Sequence, residues 1–195
     1  MKILPISILS IIIFTLISCN KADDSSNDGY KGYFPNSIGL QWQYERYDSL
    51  KNITDTINVT IISDTVISGK TYMIWDYDYN SSTERFYVLQ NSDSIKIFKS
   101  SISRIDQLYI VPFHLYDNWI NTDYSFDSSF VSAIQDITIN NAKYKDVSLI
   151  ERYRFALNDY LIERIWFKPY FGIIKKDIKH NILGPYRNET WELIE

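Results

Sequence analysis

Three patterns of apolar and polar residues follow one another along the chain. Residues 3–17 are apolar, interrupted only by Pro5, Ser7, Ser10 and Thr15. Asn20 to Gly29 is polar, with no hydrophobic period, so residues 19–32 read as a disordered tether. From Tyr33 onward the chain alternates. Pro35 and Gly39 punctuate a turn. Leu40, Trp42 and Tyr44 then alternate with Gln41, Gln43 and Glu45, the pattern of a half-buried strand. Ile57, Val59 and Ile61 repeat it. After the turn signal Ser68-Gly69, Met73, Trp75, Tyr77 and Tyr79 face one way and Ile74, Asp76 and Asp78 the other. Phe86–Leu89 and Ile95–Phe98 predict a hairpin across Asn91-Ser92-Asp93. The stretch from Leu108 to Asp127 is irregular, and Pro112 excludes a central strand there. Val131–Ile139 and Tyr144–Arg154 flank Asn140-Asn141, which suits a tight turn because Asn tolerates positive φ. Leu161–Phe167, Ile173–Ile178 and Thr190–Ile194 are the last strands, broken by Gly172 and Gly184-Pro185. No long segment carries a 3.6-residue period. The pattern predicts one all-β or nearly all-β domain over residues 33–195, with about ten or eleven strands and no internal repeats.

Composition supports this reading. Ten Phe, sixteen Tyr and five Trp supply burial for a core, and the one cysteine, Cys19, allows no intramolecular disulfide. The net charge is −4, which gives no electrostatic reason to bind nucleic acid.

The start of the chain has the anatomy of a secretory signal peptide: Met1-Lys2, a short apolar run, then small residues. The run is about 15 residues, shorter than the ~20 that span a bilayer core. Leu16-Ile17-Ser18-Cys19 resembles the lipobox of bacterial lipoproteins. The resemblance implies removal of residues 1–18 and lipid on the Cys19 sulfur, with the new amine commonly acylated too. Two acyl chains hold a protein stably on a membrane, where one does not. The implied partner is therefore the membrane, through Cys19, without a spanning segment. Lys21-Ala22-Asp23-Asp24 is similar to the export signal of Bacteroidota lipoproteins, in which Lys or Ser followed by acidic residues directs display at the cell surface. That makes Lys21, Asp23 and Asp24 the candidate sorting residues and the outer membrane the expected location. An inward-facing outer-membrane lipoprotein with an acidic linker is the other reading.

The domain carries a broader likeness. Phe34-Pro35…Gly39-Leu40-Gln41-Trp42-Gln43-Tyr44 resembles the opening of many uncharacterised bacterial lipoproteins. The segments 137–147 and 167–175 resemble their late hairpin and the Gly-hydrophobic-hydrophobic-Lys strand that follows. The resemblance implies a single antiparallel sheet curled into a half-barrel or barrel-like shape, akin to lipoprotein carriers, and brings no catalytic residue with it.

A search for chemistry finds little. His114 and His180 stand apart from any metal-binding spacing, so no metal and no cofactor are expected. No Gly-x-Ser-x-Gly elbow or phosphate loop occurs. Asp76, Asp78 and Asn80 offer oxygen ligands for calcium but lack the glycine of a tight calcium loop. Asp76 and Asp78 share a strand face, with Glu84 on the partner strand. They are the one route to a hydrolase, through paired carboxylates acting on envelope or external polysaccharide. The bland reading is the solvent face of an amphipathic sheet. The aromatic residues Trp42, Tyr44, Trp75, Tyr77, Trp119, Trp166 and Trp191 are core or the lining of a ligand cavity, with Trp42, Tyr44, Trp75 and Trp166 foremost as lining. The expectation is a non-enzymatic envelope lipoprotein that binds a hydrophobic ligand or another envelope protein.

Overall fold

The computed structural model describes residues 33–99, 105–121, 126–156, 159–182 and 187–194. The signal peptide, the tether, Cys19, Lys21, Asp23 and Asp24 lie outside the described residues. Among these residues there are twelve strands: β1 (Gln41–Asp48), β2 (Ile53–Ile67), β3 (Lys70–Asp78), β4 (Thr83–Gln90), β5 (Ser94–Lys99), β6 (Gln107–Ile110), β7 (Asn118–Ile120), β8 (Asp127–Ile139), β9 (Ala142–Ala156), β10 (Asp159–Lys168), β11 (Gly172–Ile182) and β12 (Arg187–Leu193). They form one antiparallel sheet in the order β6-β5-β4-β3-β2-β1-β12-β11-β10-β9-β8-β7, nearly closed into a barrel.

The first and last strands pair in the middle of this sheet, Tyr44 opposite Leu193 and Asp48 opposite Glu189. The seam of the barrel therefore lies mid-chain, between β6 and β7. These are the two strands that alternation does not reveal, because runs of four and three residues are too short to show a period. Side chains bridge the seam where the backbone does not. Trp119 on β7 donates its indole N–H to the Leu108 carbonyl on β6 at 2.7 Å. Arg152 on β9 donates to the carbonyl of Asp106, just before β6, at 2.8 Å. Closing an edge in this way removes a template for aggregation.

The alternation read from the sequence sets the inner and outer faces. On β1, Tyr44, Arg46 and Asp48 are buried, while Gln41, Glu45 and Tyr47 are exposed. On β3, Trp75 is buried and Asp78 exposed. The turns use the predicted chemistry: Ser68, Gly69, Asn140 and Asn141 all have positive φ, as tight hairpins require.

One end of the barrel is plugged by the segment that leads into β1. Phe34 is buried, with its ring centroid 5.2 Å from Trp75 and 5.0 Å from Phe167. The Tyr170 amide, in the β10–β11 turn, donates to the Tyr33 carbonyl at 3.0 Å. Gly172 packs directly against the plug, and a Cβ there would lie 3.2 Å from Pro35 Cδ and 3.3 Å from Phe34 Cδ1. Because β12 runs antiparallel to β1, the C-terminal strand also finishes at this plugged end.

Candidate functional site

Strand direction places the other end, the mouth, at the β3–β4, β9–β10 and β11–β12 turns. The same inner faces that carry the apolar core near the plug carry aromatic and charged side chains here. A cavity of about 240 Å³ opens in this mouth. Tyr44, Tyr77, Tyr79, Phe86 and Trp191 are its aromatic lining. The rings are steeply inclined to one another: Tyr77 and Phe86 centroids are 4.8 Å apart at 65°, and Tyr79 and Trp191 are 6.1 Å apart at 74°. Three of these rings already face cations of the protein. Arg46 lies 5.3 Å from the Tyr79 centroid, Lys99 5.9 Å from Phe86 and Lys176 5.6 Å from Trp191.

The charged lining is organised around Glu163. This carboxylate is buried between two cations, with Lys176 Nζ at 2.8 Å and Arg152 Nη1 at 3.0 Å. Burial works against its charge, but the two cations outweigh burial and hold the carboxyl down at about 2. Arg152 also forks onto Asp127, donating from Nε at 2.9 Å and Nη2 at 2.8 Å. Asn121 bonds Asp127 and Ser129, each at 2.8 Å, which continues the network to β7. Each buried ion thus has opposite charge and hydrogen bonds around it, the condition under which buried charge is tolerated. At the rim, Lys99 pairs with Glu84 at 2.9 Å. Burial also raises the Tyr44, Tyr77 and Tyr79 hydroxyl pKa values, so these groups stay protonated.

Of the aromatic candidates from the sequence, Tyr44, Tyr77 and Trp191 line the cavity, and Tyr44 donates to the Ile173 carbonyl at 2.6 Å. Trp75, only 1% exposed, lies in the core, and Trp42 packs edge-on against it with centroids 5.1 Å apart. Trp166 lies elsewhere, against the smaller cluster of Ile139, Val147 and Ile174, with Lys175 5.5 Å over its ring.

The carboxylates considered for hydrolysis are not brought together. Asp76 points outward and is held by Arg85 through two 2.8 Å bonds. Asp78 is exposed and accepts from the Asn80 amide at 3.0 Å. Glu84 faces the mouth, on the other side of the sheet. Asp76 and Asp78 thus stand on the outer surface, away from the cavity. Among the described residues no group of three or more His, Cys, Asp or Glu side chains is placed to hold a metal ion.

The buried cluster of Arg152, Glu163, Lys176 and Asp127 escaped sequence reasoning, although half of it had a signal. Glu163 is in phase with Leu161, Ile165 and Phe167, and Arg152 is in phase with Ile150, so both are charges on apolar faces. Lys176 is hidden by the β-bulge at Trp166/Phe167, which breaks the alternation along β11.

No family model matches the chain, and no curated protein does. Among solved structures, it is similar to a crystal structure of a putative lipoprotein from Parabacteroides distasonis ATCC 8503, with 12% sequence identity and a TM-score of 0.44, over 84% of this chain and 98% of that one.

Proposed function

We propose that this chain is a non-enzymatic lipoprotein of the bacterial envelope, lipid-anchored at Cys19, whose barrel holds a small ligand in its mouth. The observation that carries the ligand reading is the mouth cavity, opening at the end of the barrel opposite the plug. The chain enters the barrel at the plugged end through Tyr33 and Phe34. The lipobox-like Leu16–Cys19 supports the anchor, and Lys21, Asp23 and Asp24 support display at the outer-membrane surface.

The lining narrows the hydrophobic ligand expected from sequence. A purely apolar molecule would cover the Arg154 head group and the Asp106 carboxylate without offering them hydrogen bonds, and desolvating polar groups unmatched is costly. The ligand that fits has an apolar body for the rings and polar groups for the charged side. The test is thermal unfolding of the purified protein before and after it is stripped of bound small molecules by unfolding, dialysis and refolding. Ligand that binds the native state alone raises its stability by mass action. The stripped protein should melt at a lower temperature and recover when the low-molecular-weight extract is returned. Identical melts with and without that extract would contradict the reading.

A further inference from the structure

Seven charged side chains line the mouth: Glu84, Lys99, Asp106, Arg152, Arg154, Glu163 and Lys176. Five are neutralised within the protein, Lys99 by Glu84 and the Arg152–Glu163–Lys176 group by its own contacts and Asp127. Arg154 and Asp106 remain. Neither side chain has an ion pair or hydrogen bond among the described residues, and their charges are opposite. They belong to the two sides of the barrel seam. Arg154 is on β9, two residues beyond Arg152 and on the same face, hence roughly 7 Å further along the strand. Arg152 itself reaches across to the Asp106 backbone carbonyl at 2.8 Å. The two uncompensated charges therefore border one opening, beside the Tyr77, Phe86 and Trp191 rings.

We propose that the mouth takes a zwitterionic ligand of the amino-acid class, its carboxylate at Arg154, its ammonium at Asp106 and its apolar side chain against those rings. The proposal rests on the reading of the mouth as a ligand site. Other ligand chemistries match the lining less well. A fatty acid satisfies Arg154 but sets a carboxylate near Asp106. A cation is served by Asp106 but meets Arg154, and the faces of Phe86 and Trp191 are already engaged by Lys99 and Lys176. A zwitterion answers both charges and leaves the net charge of the mouth unchanged.

The test is isothermal titration calorimetry on the purified, stripped and refolded full chain, with three probes: L-phenylalanine, N-acetyl-L-phenylalanine, which lacks the ammonium, and L-phenylalaninamide, which lacks the carboxylate. L-phenylalanine should bind, and each analogue should bind about tenfold more weakly or worse, the usual scale for a lost charge-assisted hydrogen bond. Arg154→Gln should abolish discrimination against the amide alone, and Asp106→Asn discrimination against the N-acetyl compound alone. Circular dichroism establishes that both variants are folded. Equal binding of all three probes would overturn the zwitterion while leaving the ligand site standing. Binding by none of them would also overturn the zwitterion, and the site itself is then judged by the melts of stripped protein. Discrimination that survives both substitutions would show that other residues read the charges.

Discussion

Glu163 shows most clearly how single residues set the character of this barrel. It occupies an inward position on a strand whose neighbouring inward residues, Leu161, Ile165 and Phe167, are apolar and buried. Its charge persists because Arg152 and Lys176 hold it. Replacing it with Gln keeps the shape and removes the charge, which leaves Lys176 buried without its partner. Breaking such a group costs about 3–5 kcal/mol, so Glu163→Gln should lower the urea midpoint of unfolding at neutral pH. The effect has a defined pH window. The folded carboxyl sits at about 2 against an ordinary 4.5. Between these values the unfolded chain binds the proton and the folded chain does not, so stability falls as pH falls. The stabilisation is complete above 4.5 and is lost as the pH drops through 2. Urea melts from about pH 5 to about pH 2 should show the wild type converging on the variant. A constant gap across that range would mean that Glu163 is not the titrating group.

Among the elements, the plug is what makes one end of the barrel closed, and Gly172 is where β11 meets it. Gly172 has φ +82° and only tight room for a Cβ against Pro35 and Phe34, whereas Gly69, in the β2–β3 turn, has φ +73° and open space around it. Both Ala substitutions incur the strain of a left-handed backbone, about 1–2 kcal/mol. Only Gly172→Ala also pushes on Phe34 and Pro35, for about 1–3 kcal/mol more. Chemical denaturation should therefore rank Gly172→Ala clearly below Gly69→Ala, and equal losses would show that the plug yields freely. Much of the strand layout was legible in the sequence, because two-residue alternation reports burial directly: Trp42 and Tyr44 face inward on β1, and Trp75 and Tyr77 on β3. The turns were legible for an equally local reason, since Asn140, Asn141 and Gly69 are residues that accept positive φ. What stayed hidden depends on long-range geometry. The strands β6 and β7 are too short for a period, and their role as the seam appears only when Trp119 reaches Leu108. The mouth assembles side chains from β1, β3, β4, β5, β6, β9, β10, β11 and β12, so no single stretch announces it, and Tyr44, Tyr77 and Trp191 are the lining aromatics among the cavity candidates named from sequence.

At the scale of the molecule, the barrel has an apolar core towards the plug and a charged, aromatic interior at the mouth, while outer positions range from polar, such as Gln41 and Glu45, to exposed apolar, such as Val66 and Ile134. Cys19→Ala should abolish incorporation of labelled palmitate and leave uncut precursor, because both lipidation and cleavage of a lipobox depend on the thiol. Unchanged labelling and processing would remove Cys19 as the anchor. At the other end of the molecule an aromatic and charged cavity stands open, where the proposed ligand sits. Native mass spectrometry of the protein purified under mild conditions tests that placement most directly. The expected spectrum shows a discrete non-covalent adduct of small mass, one per chain, which leaves on collisional activation and is lost in a folded Trp191→Ala variant. Protein at its bare covalent mass, or an adduct that persists unchanged when Trp191 is removed, would contradict the placement.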